Sequence, residues 1–216
     1  MTLSIKDPGS ALTHFIGMIL AGLAATPLLV LAAKDGGRYA VPALAIFAAS
    51  MILLYGARTT YHTFNISEKV NKVLRKIDHM MIFILIAGSY TPICVIPLRD
   101  TVGIPLLILV WAVAIAGMLI KAFWITCPKW FSSTIYIAMG WLCVLAMVPL
   151  VQTLPTAAFI WLVAGGVIYT IGGVIYALKL PLFNAKHQYF GSHEIFHVFV
   201  MAGSLCHYVT MFYIAT

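Results

Sequence analysis

His193 and His197 stand four residues apart in the stretch Gly191 to His197, with Glu194 between them. On a helix that spacing puts both imidazoles on one face, one turn apart. The arrangement suits two ligands of one metal ion, although alone it is a weak signal. His62 ends one apolar run, and Asp78 with His79 opens the next. Three imidazoles, from His62, His193 and His197, with one open position describe a zinc site of the catalytic type. Imidazole also suits copper, iron and nickel. Zinc is preferred because no thiolate, thioether or second carboxylate ligand is evident. The open position would hold water, and Asp78 would bind or orient that water. The competing reading is a polar cluster that links helix ends without metal.

The elements that must position these residues are membrane spans. Of 216 residues, 62% are hydrophobic and 9% are charged, where a soluble domain carries about a quarter. So little charge would leave far too much apolar surface in water, which makes this an integral membrane protein. The formal charge of +7 lies in joints between apolar runs. Such joints face anionic lipid, so nucleic-acid binding is excluded and membrane lipids are the expected partners. The first ten residues are polar and the first apolar run is too long for a signal peptide's core, so no cleavable signal is expected.

Spans of about 20 residues fall at 12–33, 40–62, 79–98, 103–125, 133–152, 157–178 and 193–214. The joints are short, so the expected fold is all-α, one seven-helix transmembrane bundle without a separate soluble domain. Nine basic residues lie on the side of the N-terminus: Lys6, Lys69, Lys72, Arg75, Lys76, Lys121, Lys129, Lys179 and Lys186. Three lie on the other: Lys34, Arg38 and Arg99. That bias puts the N-terminus in the cytoplasm and the C-terminus outside. His62, Asp78, His193 and His197 then share one depth in the inner leaflet, although the charge count did not use them. A central charge in a membrane costs roughly 2.5–3.5 kcal/mol on insertion scales, so the convergence calls for a function.

Four stretches carry a resemblance. They are ThrThrTyrHisThr at 59–63, LysIleAspHisMet at 76–80, AlaGlySerTyrThrPro at 87–92, and HisGluIlePheHis at 193–197 followed by His207 and Tyr208. In order, spacing and seven-span frame the chain resembles the bacterial hemolysin III branch of the progestin and adipoQ receptor (PAQR) family. The resemblance implies a seven-helix inner-membrane bundle with zinc near the inner leaflet. It implies that His62, His193 and His197 are ligands and that Asp78 contacts the zinc-bound water. Relatives usually carry serine four residues before the first ligand, and here that position is Arg58. Arg58 is expected to turn sideways and snorkel to the interface. The alternative is that it faces the metal with an anion between them, from Asp78, Glu194 or a lipid headgroup. Thr59 is a candidate for the missing hydroxyl.

The remaining polar residues are read more plainly. Glu194 points away from His193 and is expected to cap its helix. His79 is a candidate supporting residue beside Asp78, and His14 an interfacial hydrogen-bonding residue. His207 lies about 15 Å deeper than His197 by helical rise, too far to share the metal, and is read as a buried, hydrogen-bonded histidine or a proton relay. Cys94, Cys127, Cys143 and Cys206 show no C-x-x-C spacing and are read as free thiols acting as small hydrophobes. GlyGlyValIleTyr occurs twice, at 165–169 and 172–176. Its glycine stripe serves close helix packing within the chain, or a homodimer contact through Gly165 and Gly172. The favoured function is a zinc-binding regulator of membrane homeostasis. The alternatives are an intramembrane zinc hydrolase of a lipid amide or ester and, third, a pore-forming cytolysin.

Overall fold

The computed structural model describes residues 5–178 and 191–215, with the backbone alone at 192 and 193. Among the described residues, seven helices are long and apolar enough to cross a membrane. The first is Pro8–Asp35, the second Ala40–Thr63 and the third Glu68–Val95. The fourth, Ile104–Phe123, follows a π-turn at Arg99–Gly103. The fifth is Lys129–Thr153, the sixth Thr156–Leu178 and the seventh Ser192–Ile214. The first four pack in sequence order, the fifth and the seventh lie against the sixth, and the seventh also touches the first. Large aliphatic residues such as Leu23, Ile108, Leu145 and Leu205 are exposed on the outside, where lipid would cover them. The interior mixes Phe47, Phe83 and Leu44 with many alanines, because small residues let helices approach where lipid supplies no hydrophobic drive.

The third helix corrects the expected boundary. It begins at Glu68, not near residue 79, with Ser67 as its cap: the Val70 amide donates to Ser67 Oγ at 3.3 Å. Asp78 and His79 therefore stand about three turns inside a helix and not at its head. Hydropathy marked where the lipid-compatible length starts, and the charged first turns, rich in lysine and arginine, passed for a joint. Near its other end Ser89 Oγ donates to the Leu85 carbonyl and Thr91 Oγ1 to the Ala87 carbonyl, beside Pro92, which lies inside the helix.

Tyr90 of the same helix reshapes the fifth. Its hydroxyl donates to the Gly140 carbonyl at 2.6 Å and accepts from the Cys143 amide at 2.7 Å. A hydroxyl inserted into the i to i−4 ladder forces a local change of pitch, and Trp141–Ala146 is wound as a 3-10 helix. The glycine stripe of the sixth helix is taken up within the chain. A Cβ on Gly165 would sit 2.9 Å from the His207 ring and one on Gly172 2.6 Å from Phe199 Cβ, both on the seventh helix.

Candidate functional site

Three imidazoles meet at the end of the bundle that carries the N-terminus. The ring centroids of His62 and His197 are 5.3 Å apart, and the His14 ring is 4.0 Å from His197 and 6.1 Å from His62. All three side chains are buried. Each arrives by element geometry: His14 lies in the second turn of the first helix, His62 in the last turn of the second, and His197 in the second turn of the seventh. The His193 side chain lies outside the described residues, although its backbone is helical one turn before His197. Among the described residues, no group of three or more metal-binding side chains converges tightly enough to hold an ion.

Asp7 completes one side of this cluster. Its Oδ2 lies 3.0 Å from His62 Nδ1. A carboxylate accepts, so Nδ1 carries the proton, and in the neutral ring Nε2 is the nitrogen with the lone pair. Asp7 occupies the N-cap position of the first helix, yet its side chain makes no capping bond there; the carboxylate is spent on the histidine. The backbone holds it in place. The Asp7 amide donates to the His62 carbonyl at 2.9 Å and the Lys6 amide to the Thr63 carbonyl at 3.3 Å. The Lys6 ammonium lies 3.6 Å from the centroid of the Tyr61 ring.

Arg58 overturns the snorkelling expectation. It is 2% exposed, its Nε is 3.6 Å from Asp78 Oδ1, and its guanidinium lies 5.4 Å from the Phe196 ring centroid. One turn before His62 the side chain points inward, because the buried Asp78 carboxylate offers it a counter-charge that the lipid does not. The other carboxylate oxygen, Oδ2, lies 3.3 Å from His79 Nδ1, which also donates to the Arg75 carbonyl at 2.9 Å. Both oxygens of Asp78 thus already have cationic or N–H neighbours. The Thr59 hydroxyl donates to its own helix at the Tyr55 carbonyl, 2.8 Å.

Glu194 caps, as its position suggested: Oε2 accepts from the Gly191 amide at 2.8 Å and Oε1 from Ser10 Oγ at 2.9 Å. His207 is stacked on Tyr169 with centroids 5.3 Å apart, and its buried Nδ1 has no hydrogen-bond partner among the described residues. A cavity of about 360 Å³ runs from Arg58, His62 and Asp78 past His207 to Leu98, Leu106 and Leu150.

Of the two residues that sequence reasoning leaves out of the cluster, His14 is read as an interfacial hydrogen-bonding residue and Asp7 is not singled out. The depth rule that gathered His62 and His197 applies equally to His14 at the head of the first span. Asp7 offered no such signal, because a polar residue before a helix reads as a cap.

A donor set of clustered imidazoles fits zinc chemically. The Asp7–His62 contact adds the carboxylate that metal-ligating histidines usually keep on the other nitrogen.

A sequence model described as Haemolysin-III related matches residues 4–208. The chain is 37% identical over 216 residues to Hemolysin-3 of Bacillus cereus, covering 99% of this chain and 94% of that one. It is 36% identical over 199 residues to the Hemolysin-3 homolog of Bacillus subtilis strain 168, covering 92% of this chain and 89% of that one. A shorter likeness, 41% over 51 residues, links it to the Adiponectin receptor protein of Drosophila melanogaster, covering 22% of this chain and 12% of that one. No solved structure matches.

Proposed function

The chain belongs to the haemolysin-III related family, and from that premise we propose that it is a zinc-binding regulator of membrane homeostasis in the bacterial inner membrane. The single observation that carries the zinc reading is the Asp7–His62 contact of 3.0 Å beside the His197 ring. In the neutral ring it leaves the lone pair on the nitrogen of His62 remote from Asp7, as a ligand needs. His62 and His197 would hold the ion together with His193, and His14 is a further imidazole within reach of the cluster. When bound, zinc supplies Lewis acidity at this point. It would also tie the second and seventh helices together, so that changes in lipid packing around the bundle alter the clamp.

The regulator reading asks no catalysis of Asp78, which is flanked by Arg58 and His79, although its Oδ1 accepts no hydrogen bond among the described residues. The hydrolase reading keeps one supporting observation: the elongated cavity starts at the polar cluster and continues between apolar walls, a shape that suits an acyl chain. Cytolysis, carried by the name of the Bacillus cereus relative, is the third reading and draws least on this geometry.

Metal analysis of the purified full chain tests the proposal. About one zinc per chain is expected, lost in His62→Ala and in His197→Ala, with affinity about 10–100-fold weaker in Asp7→Asn. Wild-type protein that takes up no zinc on titration, or a His62→Ala chain that keeps a full equivalent, would sink it. Incubation with mixed lipid extracts separates the two leading readings: zinc-dependent release of fatty acid, lost in Asp78→Asn, would replace the regulator with the hydrolase.

A further inference from the structure

A second polar cluster lies away from the histidines, where the fourth helix passes into the fifth. Lys121 Nζ is 3.0 Å from Cys127 Sγ and 2.5 Å from Ser132 Oγ, and the sulfur and the hydroxyl are 3.3 Å apart. The three residues are 2%, 7% and 4% exposed, in that order. The site is built from both sides of the joint: Lys121 ends the fourth helix, Ser132 opens the fifth, and Lys76 of the third helix donates to the Ala122 carbonyl beside it.

A buried ammonium needs an anion. Among the described residues, no carboxylate lies within ion-pairing distance of Lys121. The remaining neighbour that can carry negative charge is the sulfur. Burial pushes the Cys127 thiol up, but hydrogen bonds from Ser132 and Lys121 and the charges of Lys121 and Arg75 outweigh it and bring the thiol below its ordinary value. A thiolate is the nucleophilic form of cysteine. Ser132 also lines the large cavity, so the sulfur sits one hydroxyl behind a wall that small solutes can reach.

We propose that Cys127 is a hydroperoxide-reactive thiolate, charge-paired with Lys121 and backed by Ser132, and that it is a site of oxidation to the sulfenic acid. The thiolate sulfur attacks the terminal oxygen of the hydroperoxide. An S–O bond forms as the O–O bond breaks, giving the sulfenic acid. Sulfur loses two electrons to the peroxide, and the departing alkoxide or hydroxide takes a proton from the Lys121 ammonium. A buried ion pair thus becomes a neutral amine beside a neutral sulfenic acid. Oxidation thereby dissolves the ion pair at the joint between the fourth and fifth helices.

The test uses the full chain in phosphatidylglycerol–phosphatidylethanolamine nanodiscs. Hydrogen peroxide is added, sulfenic acid is trapped with dimedone, and each cysteine is followed by peptide mass spectrometry. Cys143 is more exposed, so a ranking by access alone would put it first. The opposite is expected, with Cys127 trapped about tenfold faster than Cys143 near neutral pH. Lys121→Met should slow Cys127 about tenfold and raise the pH midpoint of its alkylation by iodoacetamide, leaving Cys143 unchanged. Lys121→Arg should keep most of the reactivity. The proposal fails if Cys127 reacts no faster than Cys143 in the wild-type chain, a comparison that needs no variant to fold. It fails equally if a folded Lys121→Met chain keeps the wild-type rate.

Discussion

Arg58 redefines what Asp78 can do. Each partner of the pair is buried, at 3% and 7% side-chain exposure, so each depends on the other for charge compensation. Removing one leaves an uncompensated charge, at a cost of about 3–5 kcal/mol. Arg58→Met should therefore lower the thermal midpoint of the metal-stripped protein sharply. Adding Asp78→Asn should restore much of the loss. Two single variants that melt like the wild type would show that the pair is not coupled. The meeting of His62 and His197 was legible in the sequence because residue type and depth along each span are one-dimensional properties. The inward turn of Arg58 was not legible. It depends on which helix faces it, and a long flexible side chain permits either outcome. The same holds for Asp7, whose alternative role as a cap is locally just as good.

Helices were legible wherever lipid dictates their length. The third was not, since its first three turns carry Glu68, Lys69, Lys72, Arg75 and Lys76 and depend on no apolar match. The 3-10 stretch at Trp141–Ala146 was equally invisible, because its cause is a tyrosine on another helix. The glycine stripe was legible as a packing surface, and the structure supplies its partner. Gly165→Leu and Gly172→Leu would drive side chains into the seventh helix, while Gly166 has nothing within 4 Å of an added Cβ. The first two should cost about 1–3 kcal/mol each, read as an earlier loss of the monodisperse peak on heating in detergent. Gly166→Leu should be neutral. Equal effects at all three positions would contradict this packing.

At the scale of the whole molecule, seven spans among the described residues predict termini on opposite faces. The basic residues of the joints then predict which face is cytosolic, although Lys179 and Lys186 of that count lie outside the described residues. Gly37, between the first and second helices, has open space around it, and Asn65, between the second and third, is exposed. A membrane-impermeant maleimide should label Gly37→Cys in intact cells and Asn65→Cys only in inverted vesicles, each compared with the parent chain. The reverse pattern would invert the topology and with it the compartment from which an ion reaches the histidines. One further consequence follows from the stitch between Lys6–Asp7 and the end of the second helix. A chain begun at Pro8 would keep every span and every histidine, yet it would lose the carboxylate that fixes the His62 tautomer. Trimming the leading edge of the polypeptide is therefore an edit of the polar centre itself, reaching it without touching the bilayer-embedded scaffold.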